Sequence, residues 1–294
     1  MPKPARTVSE QLDLLTSRGL VLGGADPEVL SRMLTDDNYY RLSGYWRYFQ
    51  ADPRNGDDAF VPGASLAGIK TVYEFDRRLR SLLSTGLADL EVTFRSRLAY
   101  AVATLVTPTS YLDRAFYSDE TARRGGRKIS LRDDLITEIR RELSRSREDF
   151  IAHHLQGGNE VPIWAAVEAL SFGTVSKIYR LCQDDDVRYR VAKSFALDPV
   201  RTESALRALV VLRNVCAHHG RVWNRVPTIP LQVPNALKTD SDKSIYRQSM
   251  WGLIVTLAWL VDSIRHDTSF SEEVRGLVGR HPELQAGLKK PRRR

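Results

Sequence analysis

Six histidines in 294 residues are few enough to take singly, and four of them form adjacent pairs, His153-His154 and His218-His219. Each pair stands at the expected end of a helix, close before glycine. The second pair lies in LVVLRNVCAHHGRVWNRV, from Leu209 to Val226. There an aliphatic helix runs into Arg213, Asn214, two histidines, Arg221, Trp223, Asn224 and Arg225. So many polar and titratable groups at the end of an apolar helix mark a site built where the helix stops. Arg213 and His218 are five positions apart, about 140° round a regular helix. They converge only if the last turn distorts, and Gly220 as the C-cap is expected to supply that distortion.

Such a group has the parts to cleave RNA without metal. A neutral imidazole takes the proton from a ribose 2′-OH, which then attacks the adjacent phosphate. A second, protonated imidazole supplies the leaving 5′ oxygen, and a guanidinium stabilises the charge that develops. Histidine suits both tasks because imidazole titrates near neutral pH. The products are a 2′,3′-cyclic phosphate and a 5′-OH, and DNA, lacking the 2′-OH, is spared. No HExxH occurs, and neighbouring histidines on a helix point apart, so no metal and no cofactor is expected.

The bland readings stand beside these. Helix-end histidines such as His153-His154 are often plain partners of the helix dipole, and His266 and His281 sit on polar terminal segments as solvated surface residues. Arg-x4–6-His is also a cheap spacing. With 35 Arg in the chain, about two matches arise by accident among six histidines, against the five present. Cys216 faces the apolar side of its helix, which argues against a nucleophile. Glu91 and Arg95 form an i,i+4 pair that stabilises a helix whether or not it serves a site.

The elements that must carry these residues are helical. Thr7 or Ser9 opens a first helix, and Asp26-Pro27-Glu28 opens a second as cap and N1. NYYRLSGYWRYFQ (Asn38 to Gln50) follows, then a loop rich in turn residues. From Ile69 to about Leu105 apolar residues recur at 72, 75, 79, 82, 83, 87, 90, 94, 98, 101, 102 and 105, one continuous helical stripe. As one helix it is roughly 55 Å long. Glu74, Arg77, Arg78, Arg80, Arg95 and Arg97 are expected on its solvent face. Pro108 ends it, and a polar loop with Arg123-Arg124-Gly125-Gly126-Arg127 intervenes. Further helices are expected from Ser130 to Phe150 and on towards His153-His154, from Pro162 to Cys182, from Asp198-Pro199 towards Gly220, and over 243–266. Two short ones follow Ser271 and Pro282. No run alternates as a strand must, so the fold class is all-α.

Composition sets the outer limits. The net charge of +8 favours an anionic partner. The 44 basic residues are 35 Arg and 9 Lys, a ratio that a GC-rich genome explains and that also suits bidentate phosphate contacts. The terminal KKPRRR (Lys289 to Arg294) is expected as a mobile tail. Two cysteines make no disulfide framework and point to a reducing compartment. The basic N-terminus lacks an apolar signal core, and the longest apolar run, Trp251 to Val261, is too short to span a bilayer. A cytoplasmic protein with no membrane partner is the expectation.

Four ordered blocks, NYYRLSGYWRYF, YEFDRRLRSLLSTGLADLEVTFRSRLAY, PIWAAVEALSFGTVSKIY and LRNVCAHHGRVWNR, resemble the AbiD/AbiF-type Abi family of bacterial abortive-infection proteins. They spread from residue 38 to 226. That family is grouped with HEPN-type helical proteins, whose Arg-x4–6-His motif carries metal-independent RNase activity in many branches. The resemblance implies an RNA endonuclease of antiphage defence, with Arg213 and His218 catalytic, Asn214 as the polar residue after the arginine, and His219 as the next candidate. It implies a homodimer that brings a second imidazole. It also implies a HEPN-like helical bundle over 65–270, with an N-terminal helical elaboration over 1–64 and short helices and a basic tail over 271–294. Arg221, Arg225, Arg95, Tyr40 and Arg41 are the candidate RNA contacts. Tyr39, Tyr40, Arg41, Tyr45 and Trp46 either stack on unpaired bases or fill a core. Glu168, in W-x3-E-x-L-S-F-G, either pairs with an active-site arginine or makes a structural salt bridge. The alternative function is a non-cleaving defence protein that holds a small structured, cognate non-coding RNA. A third, a protein-interaction module, leaves the polar helix end unexplained.

Overall fold

The computed structural model describes residues 4–23 and 27–292. Helix α1 (Val8–Ser17) opens on a capping box: the Thr7 hydroxyl accepts from Glu10 N at 3.2 Å, and Thr7 N donates to the Glu10 carboxylate at 2.7 Å. Helix α2 is Pro27–Asp37; Asp26, its expected cap, lies outside the described residues. Helix α3 (Tyr39–Trp46) follows, capped by Asn38. A small hairpin of β1 (Gln50–Asp52) and β2 (Asp57–Phe60) fills the expected loop.

Helix α4 (Leu66–Leu105) has 40 residues, about 60 Å. Ser65 caps it, accepting from Gly68 N at 3.2 Å. The apolar stripe is buried as its period demands, with only Leu82 and Leu105 half-exposed. Helix α3 and the helices over 163–169, 185–194, 199–217, 250–265 and 269–279 pack around it. Two of the charges expected on its solvent face turn inward instead: Arg80 and Arg95 are 6% and 8% exposed. Each has a carboxylate one turn back, Asp76 and Glu91, and a guanidinium with such a partner can be buried where a lone one cannot.

A second hairpin, β3 (Thr121–Arg124) and β4 (Arg127–Ser130), replaces the expected polar loop. Gly125 and Gly126 both take positive φ, +55° and +80°, as a two-residue type I′ turn requires. The two hairpins are additions to an otherwise all-α fold. The chain continues as α5 (Leu131–Arg145), α6 (Asp149–Gln156), α7 (Ile163–Ala169), α8 (Phe172–Leu181), α9 (Asp185–Ser194), α10 (Pro199–Ala217), α11 (Ile245–Gln248), α12 (Met250–Arg265), α13 (Ser269–Gly279) and α14 (Gln285–Lys289).

Three of the expected helices are each broken in two, and each break falls at a serine. Ser146 takes ψ 139° and accepts from Glu148 N; Ser171 accepts from Thr174 N at 3.1 Å; Ser249 accepts from Trp251 N at 3.2 Å. A short hydroxyl side chain offers the backbone a bond that competes with the helix. The apolar period runs on across the break, so periodicity alone does not show it. The buried residues from Leu15 to Leu288 form one hydrophobic cluster.

The C-terminal segment is docked rather than free as far as Arg292. Lys289 pairs with Asp240 at 2.7 Å and Lys290 with Asp242 at 3.4 Å. Arg292 N donates to Asn224 at 2.7 Å, and its guanidinium lies 4.3 Å over the Tyr48 ring. Arg293 and Arg294 lie outside the described residues. Among the described residues no helix is long and apolar enough to cross a membrane.

Candidate active site

Helix α10 starts where Asp198 accepts from Arg201 N at 2.8 Å and Pro199 fixes the first φ. Leu206, Leu209 and Leu212 bury its inner face, leaving Arg213 half-buried and Asn214 exposed. Its end is a Schellman motif: Gly220 N donates to Val215 O at 2.7 Å and His219 N to Cys216 O at 3.0 Å. The left-handed position falls on His219, at φ +54°, and not on Gly220. Gly220 makes the tight approach, since a Cβ there would stand 3.2 Å from Val215 O. Helices usually end with glycine in the left-handed position. Here an imidazole is held there against a backbone preference worth about 1–2 kcal/mol.

Arg213 is anchored twice. Its Nε donates to the Glu91 carboxylate at 3.1 Å and its Nη1 to Asn214 Oδ1 at 3.3 Å, with the side chain still 40% exposed. Glu91 is also bound by Arg95, which donates in addition to the carbonyls of Val167 and, at 2.7 Å, Leu170. One carboxylate therefore sits between two guanidinium groups and ties α10 through α4 to α7. The i,i+4 pair Glu91–Arg95 forms, but inside the core and behind Arg213. Glu168 is exposed, and its side chain has no ion pair or hydrogen bond among the described residues. The acid that holds the motif arginine is Glu91, 122 residues upstream.

The loop after the histidines is fixed from below. Trp223 N donates to Asp76 at 2.7 Å and Val222 N at 3.2 Å, while the Tyr45 hydroxyl donates at 2.7 Å and Arg80 completes the set. Asp76 is fully buried. Burial pushes its carboxyl up from the ordinary range, opposed by Arg80, Tyr45 and the two amides. Burial likewise pushes the Tyr45 phenol up, with the Asp76 charge adding to it. Sequence reading missed this hub, although Asp76 and Arg80 flank Phe75 and Leu79 on the buried side of the stripe. A charge at a core position was the available signal.

The candidate RNA contacts divide. Tyr40 is 82% exposed, and its neighbour Arg41 donates to His219 O at 2.7 Å, bringing α3 against the end of α10. Tyr45 and Trp46 are buried at 1% and 2%, so the aromatic block supplies one exposed ring and a core. Arg221 is half-buried, donates to the carbonyls of Trp223 and Asn224 at 2.6 Å each, and packs on Gly44. Arg225 lies beside it, donating to Arg221 O at 3.4 Å. Arg95 is buried, 8% exposed, beneath Arg213. Exposed around the helix end are Asn214, His218, His219, Arg41 and Tyr40, with Arg213 half-exposed among them.

Neither His218 nor His219 has a side-chain hydrogen bond among the described residues, and both are exposed. Cys216 is buried, and burial pushes its thiol up to about 12, which leaves it inert at neutral pH. His153 and His154 end α6 with their rings 5.9 Å apart. His281, expected in solvent, packs edge-on against Phe75 at 5.3 Å and meets Glu283. Among the described residues no three His, Cys, Asp or Glu side chains gather as a metal site.

Compared with known proteins, residues 32–224 match the sequence model of one family, described as Abi-like protein. That span holds the aromatic block, α4, the Glu91 anchor and the whole Arg213-to-Asn224 segment. No curated protein and no solved structure matches the chain.

Proposed function

The chain belongs to the Abi-like protein family, which points to abortive-infection defence, and from that premise we propose that it is a HEPN-type RNA endonuclease that needs no metal. The observation that carries the reading is Arg213, held by Glu91 and Asn214 on the same helix end that exposes two unpaired imidazoles. His218, neutral, takes the proton of a ribose 2′-OH; the oxygen attacks the adjacent phosphorus and the 5′ oxygen leaves. Arg213, part exposed and pre-aimed by Glu91, faces the phosphate as negative charge builds on it. A protonated imidazole from a second copy of the chain gives its proton to the leaving oxygen, which accounts for imidazoles with no partner inside this one. Tyr40 offers a ring for an unpaired base, and Arg41 and Arg225 add cationic contacts at the rim.

The test is chelator-resistant cleavage of mixed RNA by the purified protein, beside Arg213→Ala and His218→Ala. Cleavage in EDTA that ends in a 2′,3′-cyclic phosphate and is lost in both variants is the expected result. RNA that is held tightly but left intact, with His218→Ala binding as the parent does, would replace the nuclease by a non-cleaving RNA-binding protein. No RNA affinity at low salt would leave a protein-interaction module.

A further inference from the structure

The charges of the β3–β4 hairpin do not suit a hairpin that stands alone. In its register Arg124 lies opposite Arg127, and Arg123 opposite Lys128. Residues directly opposite share a face and successive residues alternate. One face of the ribbon thus carries Arg124 and Arg127, the other Arg123 and Lys128. Like charges opposite each other weaken a sheet, and here two rungs of a two-stranded ribbon both repel.

The neighbouring acids relieve this at Arg124 alone. Helix α5 carries four acids, all engaged within the fold: Asp133 with Arg114 at 3.1 Å, Asp134 with Arg124 at 3.6 Å, Glu138 with Lys177, and Glu142 with Ser171 N and the Thr174 hydroxyl. Arg123, Arg127 and Lys128 on the hairpin, and Arg140, Arg141 and Arg145 on the outer side of α5, are exposed without an acidic partner among the described residues. The unpaired cations thus stand on the hairpin and on the second half of α5, with Asp134 and Glu138, both already paired, between them.

We infer that the β3–β4 hairpin and the outer face of α5 grip the sugar–phosphate backbone of double-stranded RNA. Cations on both faces of a thin ribbon call for phosphates on two sides, which a duplex groove provides and a single strand does not. No aromatic side chain stands on the hairpin, so it lacks the stacking platform that single-strand binders use. No apolar side chain stands at its tip, as a membrane-inserting finger would need. The choice of RNA over DNA rests on the proposed endonuclease reading; the choice of duplex rests on the hairpin itself. Helix α5 links the two regions. It starts at the hairpin and, about 17 Å along its axis, Glu142 holds Ser171, beside the Leu170 carbonyl that Arg95 grips.

The test uses the full chain and a fluorescent duplex of 2′-O-methyl RNA, which keeps the duplex but removes the attacking hydroxyl. Its single strand and a DNA duplex of the same sequence are the comparisons. Arg123→Ser/Arg127→Ser/Lys128→Ser alters only exposed side chains, and an unchanged melting temperature confirms the fold. Loss of three phosphate contacts should lower the slope of log affinity against log salt by about 2–3 and weaken duplex binding at least about tenfold. Single-strand binding should change far less. Arg140→Ser/Arg141→Ser/Arg145→Ser should act in the same direction. An unchanged slope for the duplex, equal losses on duplex and single strand, or equal affinity for duplex DNA would each overturn the inference. Cleavage separates this from the endonuclease reading. Duplex RNA held through the hairpin without cleavage removes the nuclease alone, and cleavage undisturbed in the hairpin variant removes the hairpin alone.

Discussion

Replacing Glu91 by glutamine separates its structural ion pairs from the positioning role that the proposed endonuclease gives it. Its side chain is 13% exposed and lies between Arg95, at 10%, and Arg213, at 40%. Stripping one partner from a buried ion pair costs about 3–5 kcal/mol. Arg95 keeps its bonds to the Val167 and Leu170 carbonyls, which puts that share near the low end, and the more exposed Arg213 contact adds less than about 1 kcal/mol. Glu91→Gln should therefore destabilise the fold by about 3 kcal/mol, a fall of roughly 6–10 °C in melting temperature. The effect on catalysis is separate. Without the charge that holds Nε, Arg213 keeps only the 3.3 Å contact to Asn214, and misplacing a charge-stabilising group should slow cleavage by about 10- to 100-fold. Arg213→Ala should cost about 10²–10³-fold. If Glu91 acts on the reaction through Arg213, adding Glu91→Gln to Arg213→Ala lowers stability again but slows cleavage no further. RNA cleavage measured below the melting point of all four proteins completes the cycle. Cleavage losses that multiply in the double variant would refute the positioning role, as would a Glu91→Gln protein that melts early yet cleaves at the full rate.

His219→Gly should raise stability by about 0.5–1 kcal/mol, because relief of the left-handed strain exceeds the added freedom of the unfolded chain, while RNA cleavage falls. No rise in the melting temperature refutes the strain argument, and a rise with cleavage intact removes His219 from the reaction. Burial pushes the Cys182 thiol up to about 11 and that of Cys216 to about 12, and raises the Tyr73 and Tyr179 phenols to about 12. Groups whose folded values lie above their unfolded ones hold more protons in the native state. Their contribution is whole below about pH 8.5 and is lost as pH rises towards about 11–12. The urea midpoint should fall steadily across that alkaline range, and iodoacetamide at neutral pH should label the thiols only after unfolding. A flat midpoint, or native labelling, contradicts the burial.

What the sequence shows of this molecule follows the range of the interactions. Asp198-Pro199, the aliphatic face of α10 and the stripe from Val72 to Val102 are local patterns, and helices stand where they say. The three serine breaks are local too, yet a serine that turns the backbone between two helices leaves the apolar period intact and is invisible to it. The cap at His219 was misplaced because glycine is the ordinary left-handed residue and Gly220 stood next to it. Geometry gives Gly220 the tight approach to Val215 and leaves the strained position to the imidazole.

The site's supports lie beyond that reach altogether. Arg213 and Glu91, Asp76 and Trp223, and Arg41 and His219 are pairs separated by 122, 147 and 178 residues. No spacing rule joins them. Their trace in the sequence is instead a misfit: Asp76, Arg80, Glu91 and Arg95 place charges on a helix that is otherwise buried along one side. A buried charge costs several kcal/mol unless something answers it, so each such residue implies a partner brought from elsewhere in the chain. For Asp76 and Arg80 the answer is the loop that follows His219, together with Tyr45. For Glu91 and Arg95 it is Arg213 on one side and the end of α7 on the other. Both charged pairs on α4 thus lead to the same short stretch of α10 and its exit, one holding the arginine and the other the loop. A core that tolerates two buried ion pairs to fix a single helix end is organised around that helix end. This, more than the Arg-His spacing, supports the proposal that the chemistry lies there.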